Sequence, residues 1–175
     1  MSKKITDLTL LATADATDIL PLVDISASTT KKTTVAGLAV AIAASVPTGA
    51  TTAKVATSET TASTTYADLT TAGPAVTVTI GVNGKALVTV YADLSNNTAN
   101  NLSWMGFAVS GASTVAAADE FAMFMQAYAV DSRDRKGTTF LVTGLAAGST
   151  TFTAKYKAAN GTLRAIDRKI TVVPL

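Results

Sequence analysis

The feature that most constrains this chain is a strict alternation of residue types beginning near residue 75. The segment AVTVTIGV, residues 75–82, alternates valine and isoleucine with threonine. A period of two sends successive side chains to opposite faces, which predicts a strand with one buried face. Similar runs predict further strands over residues 85–94, 102–111, 120–130, 138–145, 150–158 and 162–175. Residues 120–130 could also be a helix, but their alternation favours a strand. With no convincing helix after residue 55, the sequence predicts an all-β domain, an antiparallel β-sandwich or jelly roll.

The turns between these runs carry their own signals. Asn83-Gly84 separates the first two strands, and Asn160-Gly161 precedes the last one. Asn-Gly is the strongest short-range signal for a two-residue hairpin, so both sites are predicted to join paired strands. The polar segments 95–101 and 131–137 are predicted to be loops.

The first part of the chain follows a different pattern and is predicted to be an arm over residues 1–46. Pro21 favours a short extended segment over residues 20–25. Thr34 is a candidate N-cap for a short helix over residues 35–44. The Pro, Gly and Thr residues of 47–54 predict a linker, which leaves residues 55–175 for the sandwich.

The predicted helix is apolar on nearly every side. Val35, Leu38 and Ile42 recur at spacings of three and four, while the other face is alanine and valine. Such a helix must be buried. It either packs on its own sandwich or docks onto other chains, and docking is preferred because the segment that follows has the composition of a linker.

Composition excludes several classes of function. The chain has no cysteine and no histidine, which excludes disulfides, the common zinc sites and the Ser-His-Asp triad. The net charge is +2 with the cations dispersed, whereas nucleic-acid binding needs a concentrated basic face. The longest run of low polarity, residues 35–46, is shorter than the roughly 20 residues that span a bilayer. We therefore expect no enzymatic activity, no cofactor, no metal, no nucleic-acid partner and no membrane insertion.

The two polar loops hold the candidate surface recognition residues. Amide groups can bind sugar hydroxyls, but asparagine is also common in turns for conformational reasons. The charged loop could bind a glycan or a metal, but pairing of its acids and arginines with one another is the preferred interpretation. The candidate residues are Asn96, Asn97, Asn100 and Asn101 in the first loop, and Asp131, Arg133, Asp134 and Arg135 in the second.

The segment FAMFM, residues 121–125, is apolar at every position. A strand of this kind is normally part of a core, but both of its faces need cover. We therefore predict that one face lies in the sandwich and the other at a subunit contact. The candidate subunit-interface residues are Phe121, Met123, Phe124 and Met125.

The first 42 residues resemble the N-terminal module of small tail-fibre and head-fibre proteins of bacteriophages. That module has an isoleucine, then "DL", an acidic residue before an "LPLV"-like segment, and a "TKK-T-V--L" pattern. Thr9 departs from it, because a proline often follows "DL". The matching residues here are Ile5, Asp7, Leu8, Asp18, Leu20, Pro21, Leu22, Val23, Thr30, Lys31, Lys32, Thr33, Val35 and Leu38.

Residues 55–92 and the final ITVVPL look like the compact β-domain of phage virion proteins. The resemblance implies a non-enzymatic virion component, usually a homotrimer, that is anchored by its N-terminus and projects its β-domain outward. Its expected partners are copies of itself and a major capsid or tail protein, with the capsid exterior preferred over the tail. The expected anchoring interface comprises Ile5, Leu8, Leu20, Pro21, Leu22, Val23, Val35, Leu38 and Ile42.

Two other hypotheses remain open. A tail-associated adhesin would recognise host-surface glycans through the two polar loops. A small hydrolase would need convergent carboxylates in a pocket, and the adjacent Asp119 and Glu120 would point to opposite faces of a strand. The sequence therefore supports the adhesin more than the hydrolase.

Overall fold

The computed structural model describes residue 17 and residues 19–24, 29–36 and 49–175. The chain divides into two compact units, Met1–Val46 and Pro47–Leu175.

The described part of the first unit is a β-hairpin. Strand β1 (Ile19–Asp24) pairs antiparallel with β2 (Thr29–Thr34), with Ile19 opposite Thr34 and Asp24 opposite Thr29. β1 covers the predicted extended segment, whereas β2 was not predicted; its four threonines are β-branched and suit a strand. Residues 35 and 36 are helical, and the remainder of the predicted helix, residues 37–44, lies outside the described residues.

The second unit contains nine antiparallel strands in two sheets. Sheet I has the strand order β5–β10–β7–β8, and sheet II has the order β3–β11–β6–β9, with β4 also paired to β11. The strands are β3 (Thr51–Val55), β4 (Glu59–Thr61), β5 (Ala75–Ile80), β6 (Ala86–Asn96), β7 (Leu102–Gly111), β8 (Met123–Gln126), β9 (Arg133–Val142), β10 (Gly148–Ala158) and β11 (Leu163–Pro174).

The connections give this unit the topology of a jelly roll. From β5 onward the chain changes sheet at every connection except the one between β7 and β8, which pair with each other. Two antiparallel sheets linked by crossing connections define this architecture. The predicted fold class, an all-β antiparallel sandwich of jelly-roll type, is therefore confirmed.

The core lies between the two sheets and follows the alternation in the sequence. Val76, Val78 and Ile80 of β5 are buried, while the threonines between them face outward or are only partly covered. Phe107 is the centre of an aromatic cluster whose rings lie 5.6–6.2 Å from its own, formed by Phe121, Phe140 and Phe152. Among the described residues, every member of the core belongs to the second unit.

Both Asn-Gly sites turn the chain, but neither closes a hairpin. Gly84 has a φ of +61° and its N–H bonds to Gly81 O at 3.1 Å, so the turn itself was correctly predicted. The strands on either side belong to different sheets, because β5 pairs with β10 while β6 pairs with β11 and β9. The same holds at Asn160-Gly161 between β10 and β11. The local turn signal does not encode which sheet the next strand joins.

Three predicted boundaries also need correction. Residues 133–137 of the predicted charged loop form the first half of β9, an edge strand of sheet II. Charged side chains are a common protection of exposed sheet edges. Residues 95 and 96 extend β6, and residues 51–54 of the predicted linker lie in β3, paired with β11.

The predicted strand over residues 120–130 is much shorter in the structure. A 3-10 turn spans Asp119–Phe121, β8 covers only Met123–Gln126, and a turn follows. Asp131, with a φ of +57°, donates its N–H to Asn96 O at 2.8 Å. This bond ties the turn to the end of β6 as the chain crosses to sheet II.

A β-bulge in β11 places a charged side chain in the core. The register with β6 shifts between Ile166 and Lys169, and Asp167 within the bulge has a φ of +52°. One extra residue reverses the inward and outward positions of a strand. Asp167 therefore faces outward, and Arg168 is fully buried.

The buried guanidinium of Arg168 is held by Glu59 and Thr71. Its Nη2 lies 3.1 Å from Glu59 Oε2, and its Nη1 lies 3.5 Å from Thr71 O. Thr71 also donates its hydroxyl to Glu59 Oε1 at 2.5 Å. The Thr71 hydroxyl, and after it Arg168, hold the pKa of Glu59 below its usual 4.5, against the effect of burial. This pair connects β11 to the segment that leads from β4 to β5.

We expect Glu59→Gln to lower the free energy of unfolding by about 3 kcal/mol at pH 7, because it leaves a buried cation without a counter-charge. The folded pKa of Glu59 is depressed, so its contribution is complete above pH 4.5 and is lost as the pH falls through the folded pKa. Denaturant unfolding at pH 7 and below pH 4 should therefore show a wild-type advantage that shrinks in acid.

Asp134→Asn is the matched control, because Asp134 pairs with Lys136 at 3.1 Å on the surface. Such exposed pairs contribute about 0–1 kcal/mol. Equal effects of the two substitutions would contradict the role given to the buried pair.

Candidate functional site

A cleft of about 500 Å³ lies on the outer face of sheet I. Its floor is formed by Lys155 and Lys157 of β10 and Ala108 of β7. One wall is the segment 64–66 and the other is the loop 116–119 that leads to β8. The volume falls within the roughly 300–1,000 Å³ typical of small-molecule sites.

The strand geometry explains how the cleft is built. Lys155 and Lys157 are two residues apart on β10, so both face outward while Tyr156 between them points into the core. Ala67 exchanges backbone hydrogen bonds with Tyr156 at 3.0 and 2.9 Å. This bridge lays the segment containing Tyr66 along the edge of β10, and Tyr66 therefore borders the two lysines.

Lys157 is the centre of the polar network in the cleft. Its Nζ lies 2.5 Å from Asp119 Oδ1, and 4.9 and 4.5 Å from the ring centres of Tyr66 and Trp104. The Tyr66 hydroxyl donates to the same Asp119 oxygen at 2.9 Å. An ammonium group above two aromatic faces and beside a carboxylate is held by both charge and ring quadrupoles.

These contacts determine the protonation states of Asp119 and Tyr66. Lys157, and after it Tyr66, lower the pKa of Asp119 below its usual 3.8. Burial, and after it the hydrogen bond to Asp119, raises the pKa of Tyr66 far above its usual 10.0. At neutral pH the cleft therefore presents an ionised carboxylate beside a protonated phenol.

The second lysine of the floor is neutralised separately. Lys155 Nζ lies 2.6 Å from Asp68 Oδ2. The charges of these two lysines and their two acids sum to zero. The carboxylate of Asp119 is the most accessible of these four groups, with 61% of its side chain exposed.

A smaller groove of about 180 Å³ lies on the outer face of sheet II. Lys54 and Lys169 face each other across β3 and β11, and Asp167 pairs with Lys54 at 2.9 Å. Arg135 also reaches Asp167, at 3.5 Å. Lys54 lowers the pKa of Asp167 below its usual value. These acid–base pairs hold β3, β9 and β11 together at the bulge.

The four asparagines predicted as recognition residues mainly serve the fold. Asn96 is buried and donates its side-chain amide to Ser103 Oγ and Asn160 O at 3.2 and 3.1 Å. Asn97 Oδ1 accepts the N–H of Thr162 at 2.7 Å. The remaining two form the turn: Asn100 has a φ of +61°, and Asn101 O accepts the N–H of Ala127.

The charged recognition candidates pair with other strands rather than within their own segment. Arg133 binds Asp93 of β6 through Nε and Nη2 at 3.1 and 2.6 Å. Arg135 lies 3.6 Å from Asp93 as well as 3.5 Å from Asp167. Only Asp134 pairs inside the segment, with Lys136. The predicted pairing of acids and arginines within this loop is therefore corrected to pairing across sheet II.

The predicted subunit-interface residues occupy two environments. Met123 and Met125 are buried in the sandwich core, and Phe121 packs against that core. Phe124 points outward with 56% of its surface exposed. Two of the four candidates therefore belong to the interior, because alternate residues of β8 face opposite ways, and Phe124 alone presents a large accessible ring.

The predicted anchoring residues lie in the first unit. Leu20, Pro21, Leu22 and Val23 form part of β1, and Val35 is a half-buried residue at the start of the helical turn. Ile5, Leu8, Leu38 and Ile42 lie outside the described residues.

Sequence reasoning missed the residues that form the cleft. The alternation TAKYKA, residues 153–158, places two lysines on one face of a strand and could have indicated a polar surface site. No local signal points to Tyr66, which reaches the cleft through a bridge between distant segments. Trp104 lies on the outer face beneath Lys157, although its neighbours Met105 and Phe107 are buried in the core.

A metal site and a membrane-spanning helix are both absent from the part of the chain that the structure describes. Its residues contain no group of three or more side chains arranged to bind a metal ion. Within the same residues, no helix has the length and apolar character needed to cross a membrane.

The strand order of its two sheets places the second unit among jelly-roll β-sandwiches. No family model matches the chain, and no curated protein sequence matches it. Among solved structures, an Eiger TNF from S. frugiperda is similar at 13% identity, covering 73% of this chain and 94% of that one, with a TM-score of 0.48.

We expect Lys157→Met to raise the pKa of Asp119 toward 3.8, because Lys157 is the main cause of its depression. Carbon-detected NMR titration of the aspartate carboxyl signals measures this directly. Lys136→Met is the control, since Lys136 pairs with Asp134 on the other sheet. An unchanged Asp119 titration in the Lys157 variant would contradict the ion pair as the main cause of the lowered pKa.

Proposed function

We propose that this chain is a non-enzymatic structural protein of a bacteriophage particle, anchored by its N-terminal arm and displaying its β-sandwich. The observation that carries the proposal is the self-sufficient core of the second unit. Among the described residues, all core side chains come from residues 53–172. The sandwich therefore has an interior of its own, and residues 1–46 form a separate compact unit.

The N-terminal unit supports an anchoring role through its composition. Its described backbone is a hairpin of an LPLV-containing strand and a threonine–lysine strand. The resemblance of residues 1–42 to phage fibre modules includes these two segments. Each medium-sized apolar side chain buried in a capsid or tail protein would contribute about 1.5–3 kcal/mol. Several such residues would outweigh the cost of ordering a short arm.

We expect the full chain with a C-terminal tag to co-purify with phage particles from cells that carry this gene. A chain with Leu22→Asp and Val23→Asp should be absent from those particles, because charged residues would replace apolar ones in the anchor. Quantitative immunoblotting of gradient-purified particles measures incorporation. Val82→Asp is the control, because Val82 is 80% exposed on the sandwich. Equal incorporation of the arm variant and the control would contradict anchoring by the arm.

A homotrimer forms part of this proposal, and β8 and the turn after it supply its contact. Phe124, Tyr128 and Val130 are 56%, 81% and 62% exposed within a single short stretch. Aromatic residues are enriched at the centres of subunit interfaces.

We expect sedimentation velocity to show a trimer for the full chain and dissociation for Phe124→Asp, because a carboxylate cannot be buried at that contact without a partner. Val82→Asp again serves as the control and should remain trimeric. A monomeric wild-type chain would contradict the oligomeric part of the proposal while leaving the anchoring test intact.

A tail-associated adhesin that recognises host-surface glycans is the second candidate function. The two predicted recognition loops are largely committed to bonds within the fold, which argues against them as the binding surface. The cleft beside Asp119 favours this alternative, because its polar groups border an accessible concave surface.

A further inference from the structure

We propose that the cleft between Tyr66, Asp119, Lys155 and Lys157 binds one residue of a neutral saccharide. This inference rests on the adhesin alternative of the proposed function and does not depend on anchoring by the arm or on the trimer. None of the residues predicted from the sequence to recognise glycans lines this cleft.

The charge balance of the cleft selects an uncharged ligand. Lys157 is neutralised by Asp119 at 2.5 Å, and Lys155 by Asp68 at 2.6 Å. An anion would meet the accessible Asp119 carboxylate, and a cation would meet two ammonium groups in the floor. A purely apolar ligand would remove these charged groups from water without replacing their hydrogen bonds. A neutral ligand with many hydroxyl groups avoids all three penalties.

The polar groups offer such a ligand both acceptors and donors. Lys157 and Tyr66 both contact Oδ1 of Asp119, and no hydrogen bond or ion pair of the described residues involves Oδ2. That oxygen can accept a sugar hydroxyl in a charge-assisted hydrogen bond. An ammonium group has three N–H donors, so Lys155 and Lys157 each retain donors beyond their ion pairs.

The cleft also has apolar lining, which suits the carbon-bound hydrogens of a sugar ring. The apolar residues of its lining are Ala108 in the floor and Ala116–Ala118 in the loop. Thr64 and Thr65 add hydroxyl groups at the rim. A pyranose combines the same two kinds of surface, because it has hydroxyl groups around its edge and apolar patches on its faces.

The ion pairs also preorganise the site. Only 17% of the Lys157 side chain is exposed, and its contacts to Tyr66 and Trp104 restrict its rotamers. Lys157 and the Tyr66 hydroxyl both bind Oδ1 of Asp119 and thereby orient its carboxylate. Polar groups that are already oriented lose less conformational entropy on binding, which favours recognition of a weakly binding polyol.

The test uses the full chain and saturation-transfer-difference NMR with methyl glycosides of glucose, galactose, N-acetylglucosamine and rhamnose. N-acetylneuraminic acid and choline are the charged probes. We expect at least one neutral glycoside to bind and both charged probes to bind more weakly. Two variants test the site. Asp119→Asn removes the carboxylate charge, and Ala116→Phe fills the cleft from an exposed position while leaving the ion pairs unchanged.

Each variant should weaken binding of the neutral glycoside at least about tenfold, Asp119→Asn because a hydrogen bond to a charged group is lost and Ala116→Phe because the ring occupies the space of the ligand. Asp134→Asn, a surface acid on the other sheet, should leave the affinity unchanged. Binding that survives both cleft variants would overturn the site but leave glycan recognition standing. The absence of binding by all four glycosides would overturn both. Preferential binding of either charged probe would overturn the neutral-saccharide assignment.

Discussion

Each of the two sheets has one apolar face, and the two faces can be removed from water only by packing on each other. This constraint accounts for most of the architecture. The chain changes sheet at nearly every connection from β5 onward, so that neither sheet is completed without the other. The buried positions of both sheets form one continuous core. Folding of the second unit should therefore be cooperative, since no single sheet can bury its apolar face alone.

The buried guanidinium in this core lies where the alternation changes phase. Without the bulge at Asp167, the residues of β11 beyond it would present their outward side chains to the interior. The bulge keeps Ile170 and Val172 buried and at the same time turns Arg168 inward. Glu59 then supplies the counter-charge, and Glu59 and Thr71 supply acceptors for the two terminal nitrogens, whereas the buried Nε has no hydrogen-bond partner among the described residues. The segment between β4 and β5 is thereby held against sheet II.

The segment between β4 and β5 also forms one wall of the cleft, so the stability of the fold and the shape of the candidate site are connected. Tyr66 lies between Glu59 and Thr71, which both contact Arg168. Lys157 then fastens the opposite wall through Asp119. The cleft is thus a product of two ion pairs, one buried in the core and one at the surface. Its lining residues all come from the second unit.

The sequence by itself determined the class of the fold and much of its secondary structure. Alternation identified β5, β6, β7, β10 and β11, and the Asn-Gly signals located two real turns. These features depend on interactions within a few residues, which a local pattern records. The pairing partner of each strand does not depend on local interactions. Both predicted hairpins were wrong because the same turn can lead back into its own sheet or across to the other sheet.

The tertiary structure alone decided which side chains meet. Asn96 became a buried amide and Arg133 an edge-strand partner of Asp93, although both were in segments predicted to be exposed loops. Tyr66 and Asp119 are 53 residues apart in the chain, and they converge with Lys157 only when three segments pack on sheet I. Local sequence sets the periodicity and turn conformation of each segment, whereas long-range pairing depends on the burial of the whole core. For that reason the strands could be predicted from the sequence, and the cleft could not.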